Sequence, residues 1–330
     1  MVYLAQIRIS NRRIAEALPA GLVAVFVGAT SGIGLTTMRQ FAKHTRQPRV
    51  YFIGRSEEAA GRITAELQSL NPSGTYFYIP ADISLLQTVD HVCFELKSRE
   101  TSVNLLFLTP GTMLEKDTME SLHYPSALLY YSRVRFIVNL LPLLQKASSI
   151  RRVVTVFGAG KEGALEHDFQ DRRIPSISTM KTLALENLAL EAPEVSFVHS
   201  FPGFVKTNLG KDARTASAIA LRAVFKVVGP MISLPVIEAG ERQLFIATSA
   251  RFPAREGGGV RLVEVGQGVS VSRGTDGREG SGVYSVSFDA EPASRKVEET
   301  LDLMRRQNKV QMLWLHTMYE FQRITGSAFV

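Results

Sequence analysis

The chain is predicted to fold as an α/β domain, doubly wound around a mainly parallel sheet, with helical extensions at both ends. Two observations carry this expectation. Short apolar runs of strand length alternate with segments whose apolar residues recur at helical spacing. The first run, Leu22 to Val27, passes directly into Gly28-Ala29-Thr30-Ser31-Gly32-Ile33-Gly34 and then into a helical pattern.

Leu22-Val23-Ala24-Val25-Phe26-Val27 is continuously apolar, as a parallel strand covered on both faces requires. After Gly34, Leu35, Met38, Phe41 and Ala42 fall on one side of a helix, and Arg39, Gln40 and Lys43 on the other. The glycines between strand and helix permit a tight turn and a close approach to a pyrophosphate, which would sit where the helix's unpaired N–H groups point. Thr30 and Ser31 add hydroxyl donors. A tight turn without a ligand can use the same glycines; the strand–turn–helix context favours dinucleotide binding. The second strand, Arg49 to Ile53, ends at Gly54-Arg55-Ser56. A guanidinium and a hydroxyl, where a carboxylate would take both ribose hydroxyls, suit a 2′-phosphate and favour NADP(H). A solvated surface arginine is the alternative.

With these residues the chain resembles the short-chain dehydrogenase/reductase superfamily from about Val23 to Thr207, and the resemblance implies a Rossmann fold. It further implies that Tyr76 to Ile79 is the third strand and that Asp82, followed by Ile83, meets the adenine. Leu105 to Gly111 stands where the family has a strand ending Asn-Asn-Ala-Gly, of which only Gly111 is kept. Pro202-Gly203-Phe204-Val205-Lys206-Thr207 matches the segment that lies against the nicotinamide carboxamide and phosphates, so that Pro202, Gly203, Val205 and Thr207 become cofactor contacts.

The family's catalytic groups are mostly missing. Arg151 to Gly158 reads as the fifth strand, but Gly158 stands where a serine hydroxyl would polarise the substrate carbonyl. The Tyr-x-x-x-Lys spacing of the next helix reads Ile177-Ser178-Thr179-Met180-Lys181, and no tyrosine lies between Tyr131 and Tyr284. The position of the family's relay asparagine falls near Leu129. Lys181 is therefore the catalytic candidate that survives, and the resemblance gives it the nicotinamide ribose to hold. A solvent-facing helix lysine is the alternative. Loss of a positioned general acid typically costs about 10²- to 10⁴-fold in rate. Tyr130, Tyr131, Ser132, Ser178 and Thr179 lie close to the gap without a registered place in the motif. Glu162, His167 and Asp168 read as a solvated loop, and His199 as a strand-end histidine.

Outside this core, residues 4 to 18 read as an N-terminal helix packed outside the sheet. The apolar stretch from Ser217 to Ile237 stands where the family has a substrate lid, which suggests a fairly large apolar substrate, although a helix packed in the core reads equally well. The span from Gly257 to Gly282 reads as a long loop with little core of its own. Val283 to Phe288 reads as a last strand, and about Ser294 to Ile324 as one helix with Val297, Leu301, Met304, Val310, Leu313, Leu315 and Phe321 on its stripe. The expected division is residues 1–20, 21–290 and 291–330. That tail fits a sheet edge or a partner subunit, so a homo-oligomer stays open.

The 330 residues are 45% hydrophobic, with 38 basic and 31 acidic side chains and a net charge of +7. No basic stripe with interleaved aromatics supports nucleic-acid binding. No apolar run of about 18 residues supports a transmembrane helix or signal peptide. Contact of the lid with a membrane surface is a minor alternative. The lone Cys93 fits a reducing compartment, and a cytoplasmic location is expected.

The pattern is also similar to a divergent group of such proteins in filamentous fungi associated with secondary-metabolite pathways. The function expected is NADP(H)-dependent oxidoreduction of an apolar small molecule by a non-standard proton path, for example on a conjugated enone or an iminium. Non-redox catalysis of dehydration, isomerisation or cyclisation, and NADP(H) sensing without turnover, are the alternatives.

Overall fold

The computed structural model describes residues 1–166, 169, 171–207, 233–257 and 260–330. Its centre is one seven-stranded sheet: β1 Val23–Val27, β2 Arg49–Gly54, β3 Thr75–Pro80, β4 Leu105–Leu108, β5 Arg152–Val156, β6 Ser196–Ser200 and β7 Val283–Val286, in the order β3-β2-β1-β4-β5-β6-β7. Every neighbouring pair is parallel, so the sheet is more uniform than the mainly parallel one expected. The order reverses between β1 and β4, and the C-terminal ends of these two strands border the crevice where open α/β sheets bind ligands.

Successive residues of β1 serve opposite faces. Ala24 and Phe26 join a core with Met38, Phe41 and Leu244, whereas Val25 and Val27 join one with Val89, Leu140 and Leu188. The first face is covered by α1 Leu4–Arg12, the short turn α2 Ile14–Ala17, α3 Gly32–His44, α4 Glu57–Leu70 and α9 Val236–Thr248. On the second lie α5 Leu86–Arg99, the short α6 Tyr124–Ser126 with a π-turn at Ala127–Tyr131, α7 Ser132–Gln145 and α8 Ile174–Glu191. The stretch Tyr124–Gln145 is apolar and long enough to cross a membrane, but 89% of its apolar 18-residue window is buried inside the protein. Its composition is that of a core helix.

Several expectations change at the ends of the chain. The N-terminal helix stops at Arg12 and packs on α9, where Arg8 pairs with Glu241 at 3.0 Å. The C-terminal segment is two helices, α10 Arg295–Arg306 and α11 Lys309–Thr325, broken where Asn308 adopts left-handed backbone at φ 57°. The break rotates the stripe, so Leu313 and Phe321 point inward while Leu315 is 61% exposed. The span after Gly257 is not coreless, since Val263 is fully buried and bridges back to Ser249. Most of the segment read as a lid, residues 217–232, lies outside the described residues, while Val236 and Ile237 already belong to α9.

Helix α11 lies across α8 and α5 of its own chain, held by one buried cation. The Arg135 guanidinium grips Asp90 through two bonds, at 2.6 and 2.7 Å, and caps the carbonyls of Ser327 and Ala328 at 3.0 and 2.5 Å. It also stacks 5.0 Å from the Phe321 ring centre. Asn139 completes the clamp by donating to Asp90 and accepting from the Val330 amide. Because Arg135 is fully buried, Arg135→Met strands Asp90 without its partner. The expected cost is about 3–5 kcal/mol of unfolding free energy, read from the urea midpoint, with α11 losing amide-exchange protection first.

Candidate active site at the switch point

The glycine turn after β1 is shaped by close approaches. Gly28 and Gly32 hold φ of 77° and 59°, in the left-handed region. A Cβ on Gly28 would lie 2.8 Å from the Pro110 nitrogen, and one on Gly34 would lie 2.5 Å from Thr109 Oγ1 and 2.9 Å from the Gly28 carbonyl oxygen. The turn and the end of β4 therefore touch backbone to backbone. Ser31 precedes α3 with extended backbone and makes no side-chain cap, which leaves the first amides of α3 without that partner. Thr30 packs against Gly54 at the end of β2, and the Thr207 methyl would lie 3.3 Å from a Cβ on Gly32. These contacts fit a nucleotide pyrophosphate on the N-terminus of α3.

The other sequence-derived contacts border the same edge. Arg55 is exposed after β2 and donates to the Tyr124 hydroxyl at 3.1 Å, while Ser56 caps α4 by accepting from the Ala59 amide. Asp82 is exposed after β3, where Ser84 donates to it twice, and Ile83 is buried beside it. Gly111 follows β4, half-buried. Pro202 and Gly203 follow β6. Gly203 turns at φ 78°, and Val205 bridges to Leu234.

Lys181 is buried at 2% exposure rather than solvated, and its Nζ has no hydrogen-bond partner among the described residues. It stands 4.2 Å from the centre of the Phe157 ring at the end of β5. Burial, reinforced by the nearby Arg133 charge and opposed by Glu162, pulls the amine well below its ordinary pKa. Ile177, one turn before Lys181 on the same flank of α8, is buried and lines a cavity of about 410 Å³ together with Tyr131, Met180, Asp117, Glu320 and Arg323. Tyr130 and Tyr131 do not supply a phenol to Lys181: their hydroxyls bond Thr317 at 2.7 Å and His316 at 2.9 Å on α11. Leu129 lies in the π-turn.

Ser178, one turn before Lys181, alters the reading of Gly158. A Cβ on Gly158 would fall 2.5 Å from Ser178 Oγ, so the serine hydroxyl of α8 fills the space beside the side-chain-free residue. Ser178 Oγ is buried and without a partner. Thr179 instead bonds the Gly163 backbone, donating to its oxygen at 2.7 Å and accepting from its amide at 2.8 Å.

Of two expectations about titratable side chains, that for Glu162 is corrected, whereas His199 does stand near the end of a strand. Glu162 is not a solvated loop residue: its side chain is fully buried, and Oε1 accepts from Thr182 at 2.9 Å and Ser285 at 2.6 Å. Burial alone would raise its pKa, but its hydrogen bonds, together with the positive charge that His199 carries only when protonated, outweigh that and hold it below the ordinary value. His199 is fully buried within β6, stacked on Phe157, with Nδ1 3.0 Å from Thr182 Oγ1. Burial lowers its pKa to about 4, so it is neutral at pH 7. With the Thr182 proton on Glu162, Nδ1 must donate to Thr182, leaving Nε2 as an acceptor. His167 and Asp168 lie outside the described residues.

Arg133 escaped the sequence reading altogether. Fully inside the protein, it donates to the Leu108, Leu128, Pro110 and Val156 carbonyls and to Thr155 Oγ1. The one available signal was a guanidinium within the long apolar helix. No spacing rule brings Glu162, Thr182, His199 and Ser285 together, because they come from four separate elements. Gly34→Ala is expected to lower unfolding free energy by about 1–3 kcal/mol, since the new methyl meets backbone as well as Thr109. A thermal midpoint unchanged from wild type would contradict the close approach.

The short chain dehydrogenase family model matches residues 22–127. Oxidoreductase AN1596 of Emericella nidulans is 39% identical over 335 residues, covering 96% of this chain and 97% of the relative. Oxidoreductase andH of Emericella variicolor is 35% identical over 343 residues, covering 99% of each. Among solved structures, the alcohol dehydrogenase of Thermococcus sibiricus complexed with 5-hydroxy-NADP superposes with a TM-score of 0.53 at 19% identity, covering 74% of this chain and 94% of that one. The shared sheet, the glycine turn and full-length relatives at this identity agree: the chain belongs to the short-chain dehydrogenase/reductase superfamily.

Proposed function

We propose that this short-chain-dehydrogenase-like oxidoreductase uses NADP(H) on a small, largely apolar organic molecule, by a proton path that does not use a phenol at position 177. The observation that carries the reading is the buried Lys181 amine, without a partner among the described residues, on the same helical face as the buried Ser178 hydroxyl. Such groups are costly unless a ligand meets them. The chemistry NADP(H) would supply when bound is hydride donation or acceptance.

The chain's own residues then divide the work. The α3 amides with Thr30 and Ser31 hold phosphate oxygens, and Arg55, whose hydrogen bond is to a neutral hydroxyl, offers its charge to a 2′-phosphate. Lys181 holds the nicotinamide ribose. Ser178, filling the space beside Gly158, donates a hydrogen bond to the reacting oxygen and so takes over the role assigned by the family to a serine at the end of β5. Ile177 contributes an apolar wall that keeps water from the reaction. The cavity beyond it combines Ile177, Met180 and Leu122 with the charged rim of Asp117, Glu320 and Arg323, which suits an apolar body carrying a polar group. Secondary-metabolite intermediates satisfy that description, as does the fungal origin of the relatives compared above.

The deciding experiment is incubation with fungal metabolite extracts and stereospecifically deuterated NADPH. Deuterium in a product supports redox turnover, whereas conversion without cofactor would replace it with non-redox catalysis. NADPH is expected to bind at least about tenfold more tightly than NADH, and Arg55→Glu to reverse the order; calorimetric titration measures both. Once a substrate is found, Ser178→Ala is expected to lower kcat about 10²-fold with little change in cofactor affinity. Adding Gly158→Ser to that variant should return part of the rate by restoring a hydroxyl from the opposite side.

A further inference from the structure

Two basic side chains are buried behind the active site, and among the described residues only one finds partners. Arg133 spends its N–H groups on carbonyl and hydroxyl oxygens, none of them on a carboxylate. Lys181 has three N–H donors and no acceptor within bonding distance. Close by are two acceptors that lack donors, Glu162 Oε2 and His199 Nε2. Lys181 and His199 both lie against the Phe157 ring, at 4.2 Å and 6.5 Å from its centre. The deficits are complementary.

The carboxylate is also fixed in place. Glu162 Oε1 accepts from Thr182, the residue next to Lys181 on α8, and from Ser285 on β7, whose own oxygen accepts from the Gly160 amide at 3.0 Å. His199 closes the chain from β6 through Thr182. Four elements thus hold one negative charge against the helix that carries the unpartnered amine. The groups facing the amine are Arg133 from α7, Ser178 and Thr182 from α8, His199 from β6, and Glu162 from the loop after β5; among those whose charge acts on it, Arg133 opposes the ammonium and Glu162 supports it.

We propose that Glu162 is a positioning residue whose buried carboxylate is the counter-charge that lets the Lys181 ammonium hold NADP(H). This rests on the reading of the cleft as an NADP(H) site, and it adds a residue for which the Tyr-x-x-x-Lys spacing has no place. Glu162 works through Lys181 and touches neither substrate nor the reacting atoms.

The test is NADPH binding by calorimetry, which needs no substrate. Glu162→Gln keeps an oxygen for Thr182 and Ser285 but removes the charge, and is expected to weaken NADPH binding about tenfold at pH 7. Lys181→Met should weaken it at least as much, and the double variant should be no weaker than Lys181→Met alone, because the carboxylate has nothing left to act through. A purely structural role would make the two effects additive.

Binding to wild type should fall as pH rises through the titration of the buried amine. Removing the counter-charge lowers the amine's pKa, so in Glu162→Gln the fall should begin at lower pH. Ser285→Ala, which loosens the carboxylate without removing it, should give an intermediate affinity and serves if Glu162→Gln does not fold. Equal affinities for wild type and Glu162→Gln, or additive losses, overturn the proposal while leaving the cleft assignment intact. A folded wild type that binds no NADPH overturns both.

Discussion

The guanidinium of Arg133 holds the active-site edge of this molecule together. It reaches the carbonyls at the end of β4, the carbonyl and hydroxyl at the end of β5, and the π-turn that leads into α7. These are the strand ends that form one wall of the crevice at the switch point. Without a buried donor of this reach, several carbonyl oxygens would lie in the interior with no partner, each costing about 1–3 kcal/mol. Burial draws the guanidinium pKa down to about 9, still high enough to keep the charge at pH 7. A permanent positive charge behind the site follows, and every nearby ionisable group must accommodate it.

That accommodation explains why the interior around α8 is polar on one face and apolar on another. Ser178, Lys181 and Thr182 look toward Phe157, His199 and Glu162, while Ile177 and Met180 look toward the π-turn and α11. A phenol at position 177 would thus face the cavity bordered by α11, about 100° around the helix from Ser178. The gap at Gly158 and the presence of Ser178 are parts of one packing arrangement: a residue with a side chain at 158 would collide with that hydroxyl.

The C-terminal extension contributes to the site as well as to the fold. Arg135, Asp90 and Asn139 secure the final residues, and α11 then supplies Thr317 and His316 to the two tyrosines of the π-turn and Glu320 and Arg323 to the cavity rim. The lining of that cavity therefore depends on a segment that lies beyond the sheet. Anchoring it with a buried ion pair makes its placement sensitive to loss of either partner.

The sequence by itself determined the architecture near β1 and the position of the glycine turn, because these rest on local rules. A strand buried on both faces must be apolar, and a turn with positive φ against backbone needs glycine. It also located Lys181, through the resemblance of its segment to the family's Tyr-x-x-x-Lys motif. It could not determine what surrounds Lys181. Glu162 looked like part of a charged loop, and the burial of His199 near its strand end went unseen, because their partners, Thr182 and Ser285, arrive from elements distant in the chain. The Asn308 break and the outward turn of Leu315 escaped for the same reason: periodicity sees one stripe, whereas the direction of each helix is set by the surface it packs on. Burial and charge balance are properties of the assembled layers, and only the tertiary structure decided them.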